Sequence, residues 1–237
     1  MSIFNKIRQH MIFKEKFSRL GITVINIRKS DIKDLECIYN TVKQAIDIFP
    51  ILRGHFKWIA FVTIERLKKE MNGADYMAYS GFWHITHKLI LTKLGLGIGY
   101  PYSFMNDISE TVDLKKLLLM DRNVYIEYLT WHEIGHIIDF IITYDPNQFK
   151  CIETDEIFGH YYFEKESYYI LQNAKYDFYR KITEKDLENI FCKYVSESAE
   201  EIIAESLAIR MTMKEYPEFV DYVYDEFIKR LNERRDE

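Results

Sequence analysis

Glycine and proline are scarce in this chain, which contains 9 Gly and 4 Pro among its 237 residues. Proteins built on irregular loops use many of both, because glycine reaches positive φ angles and proline fixes turns. Their scarcity, together with 18 Tyr and 16 Phe, argues against a loop-rich binding scaffold. It favours long helices with aromatic packing.

Cysteine is scarce as well, and long apolar runs are absent. Cys37, Cys151 and Cys192 are far apart, and an odd number without a CxxC pair indicates free thiols rather than disulfides or a thiolate metal site. No run of about 18 apolar residues could span a membrane, and the first residues lack the apolar core of a secretory signal. We expect no membrane span and a cytoplasmic location as encoded; export by an unconventional route, or after removal of a leader, is compatible with the same sequence.

Excess positive charge is also lacking. The formal net charge is -5 and the pI is near 5.9, so the chain has no electrostatic footprint for nucleic acid, and we expect no nucleic-acid partner. With 48% hydrophobic and 29% charged residues, the composition is typical of a globular protein.

The first half of the chain predicts a few strands and one long helix. Residues 1–20 have mixed basic and apolar residues at roughly helical spacing and are expected to form an N-terminal helix or arm. The β-branched and apolar runs predict strands, and the Ser30-Asp31 pair followed by an apolar stripe predicts a helix that ends at Pro50. The predicted strands are 22–27, 58–64 and 87–92, with a short strand or turn at 74–81 and a glycine-rich loop at 95–99.

The second half predicts helices almost throughout. The predicted helices are roughly 112–120, 122–143, 165–180, 184–194, 197–214 and 217–234. Strands that come first and helices that come later indicate an α+β fold, with a small N-terminal mixed β-sheet packed against a helical C-terminal half. We therefore expect a single domain over 21–237, sheet-rich over about 21–110 and helical over about 111–237.

One motif dominates the helical half: His132-Glu133-Ile134-Gly135-His136. Two histidines four apart project from nearly the same helix face and can occupy two positions on one ion, while Glu133 can reach a water beside it. Many metallopeptidases hold zinc in this way. The alternative interpretation is a pair of core histidines satisfied by hydrogen bonds.

A catalytic zinc needs a third protein ligand, which the sequence offers on a later helix. Glu201 and Glu205 are four apart beside a buried face, so Glu201 could bind zinc while Glu205 orients a ligand histidine. The competing interpretation is a capping box, formed by Ser198 with Glu201 three residues on.

His-Glu-Ile-Gly-His-Ile-Ile-Asp, followed by Tyr194 seven residues before Glu201-Ile-Ile-Ala-Glu205, resembles the catalytic domain of anthrax lethal factor. It also resembles the smaller relatives of that domain, the secreted bacterial Pro-Pro endopeptidases. These are zinc metallopeptidases of the gluzincin type. The resemblance covers mainly 120–145 and 190–212, and the stretch between the two motifs, which includes the acidic and aromatic segment 152–190, is longer than is typical of the family.

The resemblance implies a role for each matching residue. It makes His132, His136 and Glu201 the zinc ligands and Glu133 the general base. It makes Tyr194 the residue that stabilises the transition state. Asp139 matches the Asp that follows the second histidine by three positions in that family.

The sequence therefore predicts a zinc-dependent endopeptidase that cleaves a peptide or protein substrate. The substrate would lie extended along an edge strand near 87–92 and add itself to the sheet. Two other interpretations remain open: a cytoplasmic regulatory metallopeptidase of the HEIGH type, which cleaves repressors, and an inactive interaction protein that retains the fold. Intact Glu133 and Tyr194 argue against the second of these.

Overall fold

The computed structural model describes residues 3–63, 78–85, 88–100, 121–143, 166–178, 182–191 and 198–235. The helices of this part are α1 (Ile3–Arg19), α2 (Ile32–Ile48), α3 (Leu52–His55), α4 (Arg122–Thr143), α5 (Glu166–Asp177), α6 (Glu184–Ile190), α7 (Ala199–Thr212) and α8 (Phe219–Arg235). The strands are β1 (Thr23–Ile25), β2 (Phe56–Thr63), β3 (Ala78–Ile85) and β4 (Lys88–Tyr100). The described chain is mostly helical with a small sheet, which is consistent with the α+β class.

Most helices of the second half have their predicted places. Helices α4 to α8 each fall on a predicted helix, and α4 has the predicted bounds 122–143. The predicted helix 112–120 lies outside the described residues. Internal contacts divide the chain into two compact units, Met1–Ile137 and Ile138–Glu237.

The sheet of the first unit has the strand order β1-β2-β4-β3. Strands β1, β2 and β4 are parallel neighbours, and β3 is antiparallel to β4. Both faces of β2 are buried, because Ile59 and Phe61 alternate with a cluster formed by Trp58, Ala60 and Val62. Burial on both faces is typical of an inner strand with parallel neighbours.

One prediction was wrong in this region. The glycine-rich stretch 95–99 is part of β4 rather than a loop, and its residues pair with β2 and with β3. Gly95, Gly97 and Gly99 recur at every second residue, which is the period of a strand. Backbone pairing with the neighbouring strands keeps this stretch extended. The predicted edge strand near 87–92 falls on the start of β4, where Lys88 and Leu89 pair with β3 and the pairing with β2 begins only at Leu94.

Helix α2 connects β1 to its parallel neighbour β2 and follows the predicted pattern. The Asp31 side chain accepts a hydrogen bond from the Lys33 N–H at 2.9 Å and caps the helix. The helix ends at Ile48, because the residue before Pro50 is disfavoured in helical conformation. Its buried face consists of Leu35, Ile38, Thr41, Val42, Ala45 and Ile46, together with Asp34.

Asp34 of α2 holds the first residue of α4. The Arg122 guanidinium donates from Nε to Asp34 Oδ1 at 3.0 Å and from Nη2 to Oδ2 at 2.7 Å. The Asp34 side chain is 1% exposed, whereas that of Arg122 is 50% exposed. The Cys37 thiol adds a second link, because it donates to the Asn123 carbonyl at 3.3 Å. These contacts fix the start of the helix that carries the histidine motif.

We expect Arg122→Met to destabilise the protein by about 1–3 kcal/mol, since the buried Asp34 carboxylate would lose a bidentate partner that solvent replaces only partly. Lys43→Met is the matched control, because the Lys43–Asp47 pair lies at the surface with both side chains about half exposed; it should cost less than about 1 kcal/mol. Urea unfolding measures both. Equal costs would show that the buried pair contributes no more than a surface pair.

The second unit includes helices α5, α7 and α8, each of which contacts the other two. Its core includes Ile170, Leu207, Phe219, Val223 and Phe227, all at most 2% exposed. Asn173 Nδ2 of α5 donates to the buried Glu226 carboxylate of α8 at 3.1 Å. Helix α7 packs against both α5 and α8. These contacts fix the position of the acidic residues that α7 carries.

The C-terminal end of α7 is held by a charged and aromatic contact. Arg210 Nε lies 2.7 Å from Asp221 Oδ1 of α8. The Arg210 guanidinium also lies over the rings of Tyr216 and Tyr224, at 5.4 and 5.3 Å from their centroids. Cation–π and ionic contacts on one guanidinium restrain the helix end. Within the described residues, no helix is both long and apolar enough to cross a membrane.

Candidate metal centre

The His-Glu-Ile-Gly-His motif lies in the middle of α4. This helix is buried on most sides: Ile134, Ile137, Ile138 and Ile142 are fully buried. Glu133 is 4% exposed, while His132 and His136 are each half-buried. A carboxylate in this setting costs free energy unless its surroundings compensate the charge.

The two histidines approach each other through their Nε2 atoms, which lie 3.2 Å apart. Their rings are nearly perpendicular, at 84°, with centroids 4.8 Å apart. Two imidazole nitrogens bound to one tetrahedral zinc at about 2.0–2.1 Å would lie about 3.3–3.4 Å apart. The observed separation therefore fits two neighbouring positions on one ion.

Glu201 joins this pair. His132, His136 and Glu201 each offer one ligand atom, and these atoms all lie within 4.8 Å of one another. Glu201 lies in the first turn of α7, where the Ser198 hydroxyl accepts a hydrogen bond from the Glu201 N–H at 3.4 Å and caps the helix. The cap and the ligand role are thus compatible, because the cap uses the backbone N–H of Glu201 and leaves the carboxylate for the histidines.

The three candidate donors are two imidazole rings and one carboxylate. Two imidazole nitrogens and one carboxylate oxygen are a common set for catalytic zinc, with the fourth position left to water or substrate. A separation of 3.2 Å also fits a hydrogen bond between two neutral imidazoles, one protonated at Nε2 and one not. A carboxylate beside both rings favours a bound cation over that arrangement, because its negative charge complements the ion.

Glu205 and Asp139, the two residues expected to support the ligand histidines, are both buried carboxylates. Glu205 follows Glu201 by one turn on α7 and is 7% exposed, and Asp139 follows His136 by three residues on α4 and is 5% exposed. Buried carboxylates are typical partners for the outer nitrogen of a ligand histidine, whose orientation they fix.

Two tyrosines of α4 share the helix face that carries the histidines. Tyr125 and Tyr128 precede His132 by seven and four residues, so with Asp139 they continue the face that carries the histidines. Both are buried, and burial raises the pKa of Tyr125 to about 12. In the sequence, these two tyrosines, the two histidines and Asp139 recur every three or four residues along an otherwise apolar helix.

Cys37 is a free thiol, as expected. Burial, with the nearby Glu127 and Asp34 carboxylates, raises the pKa of this thiol to about 12. Since only the thiolate is a good nucleophile or metal ligand, the raised pKa disfavours both roles for Cys37 at neutral pH. Cys151 and Cys192 lie outside the described residues.

Tyr194, assigned to transition-state stabilisation by resemblance, lies outside the described residues, as do residues 152–165 and 179–181 of the segment 152–190. Comparisons of the chain with protein-family models, with curated proteins and with solved structures found no match.

Proposed function

We propose that this protein is a zinc-dependent endopeptidase, similar in its centre to the anthrax lethal factor catalytic domain. The observation that carries the proposal is the convergence of three ligand atoms, from His132, His136 and Glu201, within 4.8 Å of one another. Such a set beside a glutamate that directly follows the first histidine is the arrangement used for hydrolysis at zinc.

The proposed mechanism assigns roles to residues of this chain. His132, His136 and Glu201 would hold the metal, and Glu205 and Asp139 would keep the imidazoles in place. When bound, zinc supplies Lewis acidity to the scissile carbonyl and to a water. Glu133 would take a proton from that water and pass it to the leaving amine, while Tyr194 would donate a hydrogen bond to the developing oxyanion.

Burial of Glu133 supports the catalytic role over the inactive alternative. A carboxylate that is 4% exposed is costly to keep, and an interaction protein has no use for a proton acceptor at this position. For the substrate, the strand near 87–92 stays the proposed docking edge, because the start of β4 pairs with β3 and its pairing with β2 begins only at Leu94. A peptide could add to it through main-chain hydrogen bonds.

Metal analysis of the purified protein, followed by cleavage of a peptide library with and without chelator, tests the proposal. We expect one zinc per chain and cleavage that stops with chelator and returns with zinc. Zinc without any cleavage would favour an interaction protein. Cleavage confined to folded repressor proteins, with no peptide cut, would favour the regulatory peptidase of the HEIGH type.

Tyr194→Phe should lower kcat by about 10²–10³-fold, or about 2.7–4 kcal/mol, the loss expected when one oxyanion donor is removed. Zinc content should not change. Tyr176→Phe is the matched control, because Tyr176 is 60% exposed on α5, and it should cleave at the unmodified rate. Unchanged turnover in Tyr194→Phe would leave the zinc site intact but remove the most specific support for the resemblance to lethal factor.

A further inference from the structure

Helix α1 exposes an apolar stripe on its first turns. Ile3, Phe4, Ile7 and Met11 are 78%, 84%, 39% and 56% exposed. At about 100° per residue these four side chains fall within an arc of about 100°. Four large apolar side chains on one exposed face form a contiguous patch, which is typical of an interaction surface rather than of scattered surface residues.

The same helix is anchored by its second half. Phe13 and Phe17 are buried and meet the Tyr39 ring of α2 edge-on, with centroids 6.2 and 5.3 Å away. The His10 ring nitrogen Nε2 lies 3.1 Å from the Ser30 carbonyl oxygen. The buried anchor and the exposed stripe thus occupy different parts of one helix, so α1 can present the stripe without giving up its own packing.

Positive charge surrounds the stripe. Helix α1 carries Lys6, Arg8, Lys14, Lys16 and Arg19 against Glu15 alone, although the whole chain has a net charge of -5. Lys6 and Arg8 border the stripe on its two sides, and Lys14 continues its line one turn beyond Met11, as helical spacing dictates. Glu15 pairs with Arg19, which offsets the one acidic charge.

We propose that this face of α1 docks on an anionic phospholipid surface. A basic helix with exposed Phe and Ile lies in the plane of a bilayer interface, where the apolar side chains enter the acyl boundary and Lys and Arg reach the phosphates. A second copy of the chain fits this face less well, because its own basic α1 residues would lie against the basic residues of the first copy and repel them. A protein partner is also less suited, since three turns of helix provide much less than the about 800 Å² per partner of a stable interface.

Sedimentation with vesicles tests the proposal on the full chain. We expect the protein to pellet with phosphatidylcholine vesicles that contain phosphatidylserine, and much less with phosphatidylcholine alone. The double variant F4S/I7S should bind the anionic vesicles at least about tenfold more weakly. K6E/R8E should weaken binding as well, and about 1 M salt, where the Debye length falls to about 3 Å, should release the protein.

Ile48→Ser is the matched control, because Ile48 is an exposed apolar residue of α2, 40% exposed; it should bind like the unmodified chain. Circular dichroism checks that each variant keeps its helices. Failure of the unmodified chain to pellet with anionic vesicles would overturn the proposal, and so would equal binding by F4S/I7S. A dimer in sedimentation velocity that F4S/I7S disperses, without vesicle binding, would instead assign the face to a second copy.

Discussion

Glu133→Gln is expected to lower kcat by at least about 10²–10⁴-fold while the protein keeps its zinc and its fold. Glutamine has nearly the same shape as glutamate but cannot take a proton from water, so the general-base contribution is lost. Initial rates on a cleaved peptide, metal content and the unfolding midpoint are the three measurements. The buried position of Glu133 makes the isosteric change the right one, because alanine would also leave a cavity.

Glu127→Gln is the matched control for this experiment. Glu127 lies on the same helix, less than two turns before Glu133, and is half-buried, and burial raises its pKa. It has no role in the proposed mechanism, so its variant should cleave at the unmodified rate. If Glu133→Gln lost its zinc, the glutamate would have a structural role and the proposed proton transfer would be wrong. Full activity in Glu133→Gln would remove the general base from the mechanism altogether.

Glu201→Gln is expected to weaken zinc binding by more than about 100-fold. Changes to groups that merely support zinc ligands typically cost 10–100-fold in affinity, and loss of a charged ligand should cost more. Competition with a chromogenic chelator measures the affinity. A metal ion at a free concentration 100 times its dissociation constant stabilises the folded state by about 2.7 kcal/mol. Added zinc should therefore raise the unfolding temperature of the unmodified protein, and it should raise that of the variant much less.

Glu200→Gln provides the control for position and charge. Glu200 precedes Glu201 in the first turn of α7, and its carboxylate accepts a hydrogen bond from the Ser198 hydroxyl at 2.6 Å. The substitution should weaken this hydrogen bond at the start of the helix and leave the histidine pair unchanged. Zinc affinity should therefore stay within about twofold of that of the unmodified protein. Equal zinc affinity in Glu201→Gln and the unmodified protein would exclude Glu201 as the third ligand and leave the histidine pair as a hydrogen-bonded pair or as part of another site.

Local features were readable from the sequence because they depend on neighbours in the chain. The bounds of α4 and the Asp31 cap of α2 follow from helical periodicity and capping. The pairing of His132 with His136 belongs to the same class, since residues four apart on a helix always share a face. The 3.2 Å between their Nε2 atoms additionally requires particular rotamers of both side chains.

Features that depend on distant partners were decided by the tertiary structure. The stretch 95–99 has the glycines of a loop, but pairing with β2 and β3 makes it part of an inner strand, because ladder hydrogen bonds on both sides outweigh weak local propensity. Glu201 could be selected as a ligand by motif, but its carboxylate reaches the histidines only through the fold, since no local rule links two helices so far apart in the sequence.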